Sequence, residues 1–329
     1  MQKVNSNQLV ERAVELLNNG TVSFVLGWQR GEFDYDITPT LFKDEKSLRE
    51  GFIYSDFCGA NLSKYLVSKT KEVSGKILIF LKPCDTYSFN QLLTEHRFDR
   101  ERAYAIGIPC CGMADIHKIK DFTGEGIYKI TSTDNTLEVE TLYGENKSLN
   151  YSDVLLEKCA SCKSKRLVAY DEIIGENGEV VNSNRFDEVA KIEAMTPDER
   201  FAFWQNELSK CIRCNACRDA CPACTCEKCV FDNPSSGLEN KSPANEFEEK
   251  MFHIIRAFHV AGRCTDCGEC SRACPQNIPL HLLNRKLIKD VNLCYGEFQA
   301  GEEIGQRSPL VDYTLDDIEP NQVFDRGDK

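Results

Sequence analysis

One cysteine pattern occurs twice in this chain of 329 residues and constrains its fold more than any other feature. Each copy has the spacing C-x2-C-x2-C-x3-C followed by proline. The copies are Cys211, Cys214, Cys217, Cys221 and Pro222, then Cys264, Cys267, Cys270, Cys274 and Pro275. With this spacing a short loop supplies three thiolates to one 4Fe-4S cubane and sends the fourth to a neighbouring cubane. Two complete copies predict two iron–sulfur clusters and a role in electron transfer.

The crossover of the fourth cysteine predicts two ligand sets. Cluster 1 takes Cys211, Cys214, Cys217 and Cys274, and cluster 2 takes Cys264, Cys267, Cys270 and Cys221. The two cubanes must then lie close together, so that electrons pass readily between them. The alternative is that the clusters only hold the fold together.

Composition limits the setting in which these cysteines function. Eighteen cysteines in so long a chain do not fit a small secreted disulfide scaffold. The N-terminal sequence predicts an amphipathic helix rather than a signal peptide, and no apolar run reaches the length of a membrane span. We therefore expect a cytoplasmic protein that binds metal through its thiolates. A net charge of -12 argues against a nucleic-acid partner.

The first two-thirds of the chain alternate helical and strand-like segments. Helices are expected over residues 6–18, capped by Ser6, and over residues 60–72. Apolar strands are expected over residues 21–26, 76–81 and 102–108. A helical stretch at 84–96 separates the last two strands, which predicts a βαβ unit and hence parallel neighbours in a sheet. Residues 127–150 look like an antiparallel addition. These features predict an α/β N-terminal domain with a mostly parallel sheet.

The second part of the chain is expected to be a helical two-cluster ferredoxin-like domain. Forty-two residues separate Cys221 from Cys264, and the spacer contains a helical stretch at 246–262. Compact ferredoxins join their motifs by short strands and turns instead. Further helices are expected at 197–209 and 279–291, the former following a polar linker at 182–200. The predicted domains are residues 1–200, 201–300 and an acidic tail, 301–329.

Four more cysteines predict a site in the first domain. Cys84 and Cys110 each follow the carboxyl end of a predicted parallel strand, and such ends share one edge of the sheet, where α/β proteins bind ligands. Cys159 and Cys162 form a CxxC pair beside a basic run that could close over this edge. The set Cys84, Cys110 (or Cys111), Cys159 and Cys162 is a candidate for a third cubane. A zinc site and unrelated thiols are the alternatives.

Other features of the sequence carry less information. Cys224, Cys226 and Cys229 are surplus to the cluster motifs and are expected not to be ligands. Neither a Gly-rich dinucleotide fingerprint nor a P-loop is present. The five histidines have no metal-binding spacing, and no catalytic arrangement of Ser, Asp or Glu can be identified.

Several segments together resemble a group of redox subunits from anaerobes. They are KPCDTYSFNQLL, IGIPCCGMAD, KCASCKSK, CIRCNACRDACPAC and FHVAGRCTDCGECSRACPQNIPL, within about residues 75–292. The group comprises the beta subunits of deazaflavin-reducing hydrogenases and formate dehydrogenases, the sulfhydrogenase beta subunit, and the A subunit of anaerobic sulfite reductase. Similar proteins are encoded with heterodisulfide-reductase-like complexes.

The resemblance implies an iron–sulfur subunit that relays electrons within a larger oxidoreductase complex. Its partners would be flavin-bearing, hydrogenase, dehydrogenase or heterodisulfide-reductase-like subunits. It also favours the third cluster on Cys84, Cys110, Cys159 and Cys162. The deazaflavin-reducing members carry FAD, but their flavin site has no residue-by-residue match in this sequence. A catalytic subunit that uses FAD to reduce deazaflavin or nicotinamide is the rival hypothesis, and a zinc-stabilised scaffold is a third.

Overall fold

A computed structural model describes residues 4–133, 135–181, 184–233 and 246–312 of the protein, without the side chains of 246–249. It contains an α/β part followed by a helical part. The expected acidic tail beyond residue 312 lies outside the described residues. Within the described ranges, no helix is both long and apolar enough to cross a membrane.

Helices and strands alternate in the first part of the chain, and helices alone follow in the second. The helices are α1 Ser6–Asn18, α2 Glu45–Gly51, α3 Ser63–Glu72, α4 Pro83–Thr94, α5 Ile116–Thr123, α6 Glu157–Ala160, α7 Asp187–Ala194, α8 Pro197–Ser209, α9 Ala216–Asp219, α10 Glu246–His259, α11 Glu269–Arg272 and α12 Leu280–Tyr295. The strands are β1 Phe24–Arg30, β2 Ile37–Phe42, β3 Ile77–Leu81, β4 Ala103–Gly107, β5 Ile127–Ser132, β6 Thr136–Thr141, β7 Lys147–Asn150 and β8 Glu172–Ile173.

The main sheet has the strand order β2-β1-β3-β4-β8 and is mostly parallel. Strands β3 and β4 pair in parallel, with Ile77 opposite Ala103, and α4 joins them. The predicted βαβ unit is therefore confirmed. All five residues of β3 are buried, as expected of a strand covered on both faces. Strand β2 departs from the parallel pattern because it forms an antiparallel hairpin with β1.

Some expected boundaries were wrong. Helix α1 is capped by Asn5 rather than Ser6, because the Asn5 side chain accepts the backbone N–H of Asn7 and Gln8 completes a capping box. Strand β1 begins at Phe24 and runs to Arg30, because its residues from Val25 to Arg30 pair with β2. The expected polar linker contains helix α7. Helix α3 begins only at Ser63.

The antiparallel addition forms a second sheet of its own, in the order β5-β6-β7. Leu137 and Val139 of β6 are fully buried and pack on Ile119 of α5. This hydrophobic cluster is separate from the core of the main sheet. The small sheet thus covers one side of the first part without extending its parallel sheet.

The second part is helical, as the long spacer between the motifs predicted. Helix α10 lies between α8 and α12, and the short helices α9 and α11 each follow one cysteine loop. Phe252 of α10 is buried among apolar residues and cysteines of both loops. The spacer helix therefore supplies the core around which both loops are arranged.

Buried polar contacts join the two parts. Lys158 of α6 forms an ion pair with Glu269 of α11, and both side chains are at most 5% exposed. Ser88 of α4 lies 2.9 Å from the Thr265 hydroxyl, between the oxygen atoms. Arg285 of α12 donates to Ser161 at 2.6 Å. The second cysteine loop and α12 are thus packed directly against the first part.

Candidate metal centres

The two cysteine loops have the same backbone conformation. Arg213 and Asp266, which precede the second cysteine of each motif, both have positive φ, at 52° and 56°. Asn215 and Gly268, which follow that cysteine, do so again at 62° and 66°. A left-handed residue at both places curls each loop, and a one-turn helix then carries the third cysteine. The sequence repeat is therefore also a structural repeat.

The four cysteines predicted for cluster 1 line one small cavity. Cys211, Cys214 and Cys217 come from the first loop, and Cys274 comes from the second. Cys217 and Cys274 also belong to the same buried cluster of side chains. The fourth cysteine of the second motif therefore lies with the first three of the other motif.

The cysteines predicted for cluster 2 lie deeper in the protein. Cys221, the fourth cysteine of the first motif, packs in a small buried cluster with Cys264 of the second motif. Cys267 and Cys270 are buried as well. Burial raises the pKa of both Cys264 and Cys267, and negative charge on Cys221 raises it further. Cys221 therefore lies with a cysteine of the other motif, as Cys274 does.

The surroundings of the two sets differ in their access to solvent. Cys214 is exposed, and its neighbour Ile212 is 61% exposed. In the second loop, a Cβ added to Gly268 would lie 2.4 Å from Cβ of Lys158 in the first part of the chain. The first set therefore has a solvent-facing edge, whereas the second is covered by the neighbouring part of the protein.

Burial favours the neutral form of these thiols when no metal is present. It raises the pKa of Cys217 and of Cys267 to about 12, and it also raises the pKa of Cys264 and Cys270. Iron binds thiolate, so cluster assembly must displace these protons. When bound, each cubane supplies a site that accepts and returns one electron.

Helix α10 places two polar side chains in this region that sequence reasoning missed as functional groups. His253 is 1% exposed and lines the cavity of the first set. Arg256, one turn on, is 2% exposed and faces cysteines of both sets. The signal in the sequence was an arginine on the same helical stripe as Phe252 and Val260, where apolar residues are expected.

The first part of the chain brings together the other four predicted cysteines. Cys110 is buried in the core of the main sheet, and Cys159 packs against the same core. Burial lowers the pKa of Lys165, but negative charge on the nearby cysteines outweighs burial, so the pKa of Lys165 is raised; these cysteines are Cys162, Cys110, Cys159 and Cys84. Burial raises the pKa of Cys110 to about 12 and that of Cys84 well above its usual value. Cys111, in contrast, is exposed. Of these two adjacent cysteines, Cys110 is therefore the one that lies in the buried core against which Cys159 packs.

A charged pair connects this group to the second set. Lys158 immediately precedes Cys159, and its amino group also donates to the Gly59 carbonyl at 2.8 Å. Burial lowers the pKa of Lys158, but negative charge on Glu269, Cys84 and Cys159 outweighs burial, so the pKa of Lys158 is raised. Burial raises the pKa of Cys267, and the charge of Lys158 opposes that rise. One buried ammonium group thus lies between the first-domain cysteines and the second cysteine loop. Its role was not predicted, because the partner Glu269 lies 111 residues away in sequence.

The surplus cysteines line a different cavity. Cys224, Cys226 and Cys229 face it together with Lys64 and Arg263. The Cys224 thiol donates to the Cys221 sulfur, which lowers the pKa of Cys221 and raises that of Cys224. Cys224 is thus the surplus cysteine that touches a predicted ligand.

All eighteen cysteines lie in the described part of the chain and are free thiols. Among the described residues, no three Cys, His, Asp or Glu side chains converge closely enough to hold a single metal ion. A single zinc ion needs all its ligand atoms at about 2.0–2.3 Å. A cubane is larger, because each of its four thiolates binds a different iron atom.

Comparison with known proteins gives matches to both parts of the chain. The family model described as a 4Fe-4S dicluster domain matches residues 207–278. The F420-dependent formate dehydrogenase subunit beta of Methanocaldococcus jannaschii is 24% identical, over 83% of this chain and 86% of that protein. The F420-dependent formate dehydrogenase 1 subunit beta of Methanococcus maripaludis is 22% identical, over 75% of this chain and 78% of that protein.

Two further matches are partial or weak. The succinate dehydrogenase iron–sulfur subunit of Bacillus subtilis is 30% identical, over 35% of this chain and 52% of that protein. A chain from the F420-reducing NiFe hydrogenase complex of Methanosarcina barkeri aligns with a TM-score of 0.39 and 11% identity, over 63% of this chain and 86% of that one. A structural likeness at this level carries no conclusion.

These findings confirm the resemblance expected from the sequence. The chain is an iron–sulfur electron-transfer subunit with a 4Fe-4S dicluster domain in its second part, and it is similar to beta subunits of F420-dependent formate dehydrogenases.

Proposed function

We propose that the protein conducts electrons through three cubanes arranged in series. Cluster 1 would be held by Cys211, Cys214, Cys217 and Cys274, and cluster 2 by Cys264, Cys267, Cys270 and Cys221. The observation that carries this proposal is the cavity shared by Cys274 and three cysteines of the other motif. Such a crossover requires adjacent clusters, which suits electron relay better than structural support alone.

The third cubane would be held by Cys84, Cys110, Cys159 and Cys162. Its support is the buried core in which Cys110 lies and against which Cys159 packs, together with the raised pKa of Lys165, to which negative charge on all four thiols contributes. The lysine offers a positive charge and N–H donors to an anionic cluster, as expected for a site that stabilises bound iron and sulfide. The exposed Cys111 would not be a ligand.

The contacts suggest an order for the relay. The first-domain cluster lies next to cluster 2, because α6 carries Cys159 and packs on the loop that carries Cys267. Cluster 1 lies beyond cluster 2 and has the exposed edge at Cys214 and Ile212. Electrons would therefore exchange with a partner protein at cluster 1 and reach the first domain through cluster 2.

The protein's own residues set the conditions for this transfer. Burial of Cys267 and Cys270 excludes water from cluster 2, and the loop N–H groups hold the thiolates in place. Pro222 and Pro275 end the loops at the last ligand of each motif. The chemistry of electron storage belongs to the clusters, and the chain controls their spacing, exposure and reduction potential.

The matched proteins suggest the setting. Because two relatives are named as F420-dependent formate dehydrogenase beta subunits, we propose that this chain works inside a multi-subunit oxidoreductase complex. Its partners would be a flavin-bearing, hydrogenase, dehydrogenase or heterodisulfide-reductase-like subunit. The same names favour one rival function, in which the chain itself binds FAD and reduces the deazaflavin F420 or a nicotinamide.

The test is chemical analysis of the chain purified without oxygen. Two cubanes give about eight irons and eight sulfides per chain, and three give about twelve. Visible absorbance should bleach on addition of dithionite. Iron-free, colourless protein would contradict the proposal. Stoichiometric FAD released on denaturation would favour the rival function.

A further inference from the structure

One buried cation in the second part of the chain lacks a carboxylate partner. Arg256 is 2% exposed, and among the described residues none of its three guanidinium nitrogens has a partner with good hydrogen-bond geometry. A buried charge without a counter-charge costs several kcal/mol, so proteins rarely keep one. The presence of this buried guanidinium therefore indicates that a negatively charged group normally occupies the space next to it.

Three other buried cations of the chain each have a carboxylate partner. Lys82 pairs with Asp85 at 2.8 Å, and Arg285 pairs with Asp266 at 2.8 Å. Lys158 pairs with Glu269. The fold therefore supplies carboxylates where these buried charges have a structural role. At Arg256 the groups that face the guanidinium are thiols.

These thiols come from both predicted ligand sets. Cys217 belongs to the cluster 1 set, whereas Cys221 and Cys270 belong to the cluster 2 set. Phe252, one turn before Arg256, packs in the same buried cluster as Cys217 and Cys270. Val260, one turn after Arg256, packs in the buried cluster that contains Cys221. The guanidinium thus lies where it faces both clusters at once.

We propose that Arg256 is the shared counter-charge of clusters 1 and 2 and donates hydrogen bonds to their sulfur atoms. This inference rests on the proposed function, because it requires both cubanes. A cubane with four thiolate ligands is anionic and gains one further negative charge on reduction. A fixed cation between two such groups favours their reduced states and reduces the repulsion between two stored electrons. Arg256 would therefore raise the reduction potential of both clusters.

The guanidinium group suits this position better than an ammonium group. Its planar fork carries several N–H donors in fixed directions, so one side chain can donate toward two sulfur-rich groups. Packing holds the fork in place, because Phe252 and Val260 on the same side of this segment are 1% exposed. The spacer helix α10 therefore contributes a positioning residue to clusters whose ligands all lie outside it.

The experiment compares Arg256→Met and Arg256→Lys with wild type, using the anaerobically purified full chain. Lys250→Met is the matched control, because it removes one positive charge from the same helix at a partly exposed position. Iron and sulfide content is measured first. Reduction potentials are then obtained by titration followed by electron paramagnetic resonance, and exchangeable protons near the reduced clusters by electron–nuclear double resonance in D2O.

We expect Arg256→Met to lower the potentials of both clusters and to remove a set of exchangeable-proton couplings. At a fixed applied potential the ratio of reduced to oxidised cluster should fall at least tenfold, which is 59 mV for a one-electron couple. Arg256→Lys should retain most of the potential but lose part of the couplings, and Lys250→Met should change neither.

Each remaining outcome also supports or contradicts the role proposed for Arg256. Fully loaded Arg256→Met protein with wild-type potentials would overturn the inference. If Arg256→Met fails to load iron while Arg256→Lys loads normally, positive charge is needed for assembly, which supports it. If both variants unfold, Arg256 has a packing role and the inference fails. Wild-type protein without clusters would instead refute the proposed function itself.

Discussion

The two cysteine loops share a backbone but not an environment. Both use a left-handed residue directly after the second cysteine, and the first loop has Asn215 there whereas the second has Gly268. The first loop faces solvent through Cys214, while the second is packed against Lys158. Asn tolerates the left-handed region and Gly adopts it freely, but only Gly leaves room for the neighbouring part of the chain. The two loops thus differ at this residue, and the first set of cysteines has an exposed edge whereas the second is internal.

The largest expected effect tests whether the two ligand sets really cross over. In a crossed arrangement, Cys211→Ala and Cys274→Ala damage the same cluster, so the double variant should lose about four irons. Cys211→Ala with Cys221→Ala damages both clusters and should lose about eight. Iron and sulfide analysis of the two double variants distinguishes these cases. Uncrossed ligand sets would give the opposite result.

A second test concerns the ion pair between Lys158 and Glu269, which joins α6 to the second cysteine loop. Glu269→Gln leaves the buried Lys158 and the partly exposed Arg272 near each other without this negative partner, which should lower the free energy of unfolding by about 3–5 kcal/mol. The matched control is Glu72→Gln on α3, whose ion pair with Lys69 is exposed and should contribute under about 1 kcal/mol. Denaturant unfolding of both variants measures the difference. Equal effects would mean that the joint between the two parts is not buried in solution.

The third test targets the residue by which the loops differ. Gly268→Ala introduces a Cβ into a left-handed residue and against Lys158, so we expect a loss of about 2–4 kcal/mol. Asn215→Ala changes the equivalent position and should cost only about 1–2 kcal/mol. Unfolding experiments on iron-loaded protein compare the two variants. If Gly268→Ala is the milder change, the second loop is not packed against Lys158 in solution.

The smallest structural effect is expected at the exposed edge of the first loop. Ile212→Asp should change the free energy of unfolding by less than about 0.5 kcal/mol. It should nevertheless slow electron exchange with the physiological partner several-fold, because Ile212 adjoins Cys214 on that edge. Leu142→Asp, at a similarly exposed site of the small sheet, is the control. Equal exchange rates in both variants would place the docking site elsewhere.

Sequence patterns were sufficient for features that depend on local order. The hydrophobic runs of β3 and β4 with a helix between them predicted parallel pairing, and the long spacer predicted α10. The cysteine spacing predicted the ligand sets of two clusters, and Cys274 does line one cavity with the first three cysteines of the other motif. Each of these depends on residues close together in the chain or on a pattern with one known geometry.

Features that depend on distant partners could not be predicted. The choice of Cys110 over Cys111 depends on which side of the strand end faces Lys165. The pairing of Lys158 with Glu269 joins segments from different parts of the chain. Arg256 could be recognised as unusual only from its burial, since exposed arginines are common on helices. All three features depend on contacts between residues that lie far apart in the sequence.

The buried contacts between α6 and the second cysteine loop also limit how the molecule can work. Many redox enzymes carry a cofactor on a tethered module that swings between docking positions. In this protein Lys158, Glu269 and Arg285 would have to leave their partners before the two parts could separate, with a large energetic penalty. The joint is therefore stiff, and charge must hop across a fixed scaffold instead of being ferried by a moving arm.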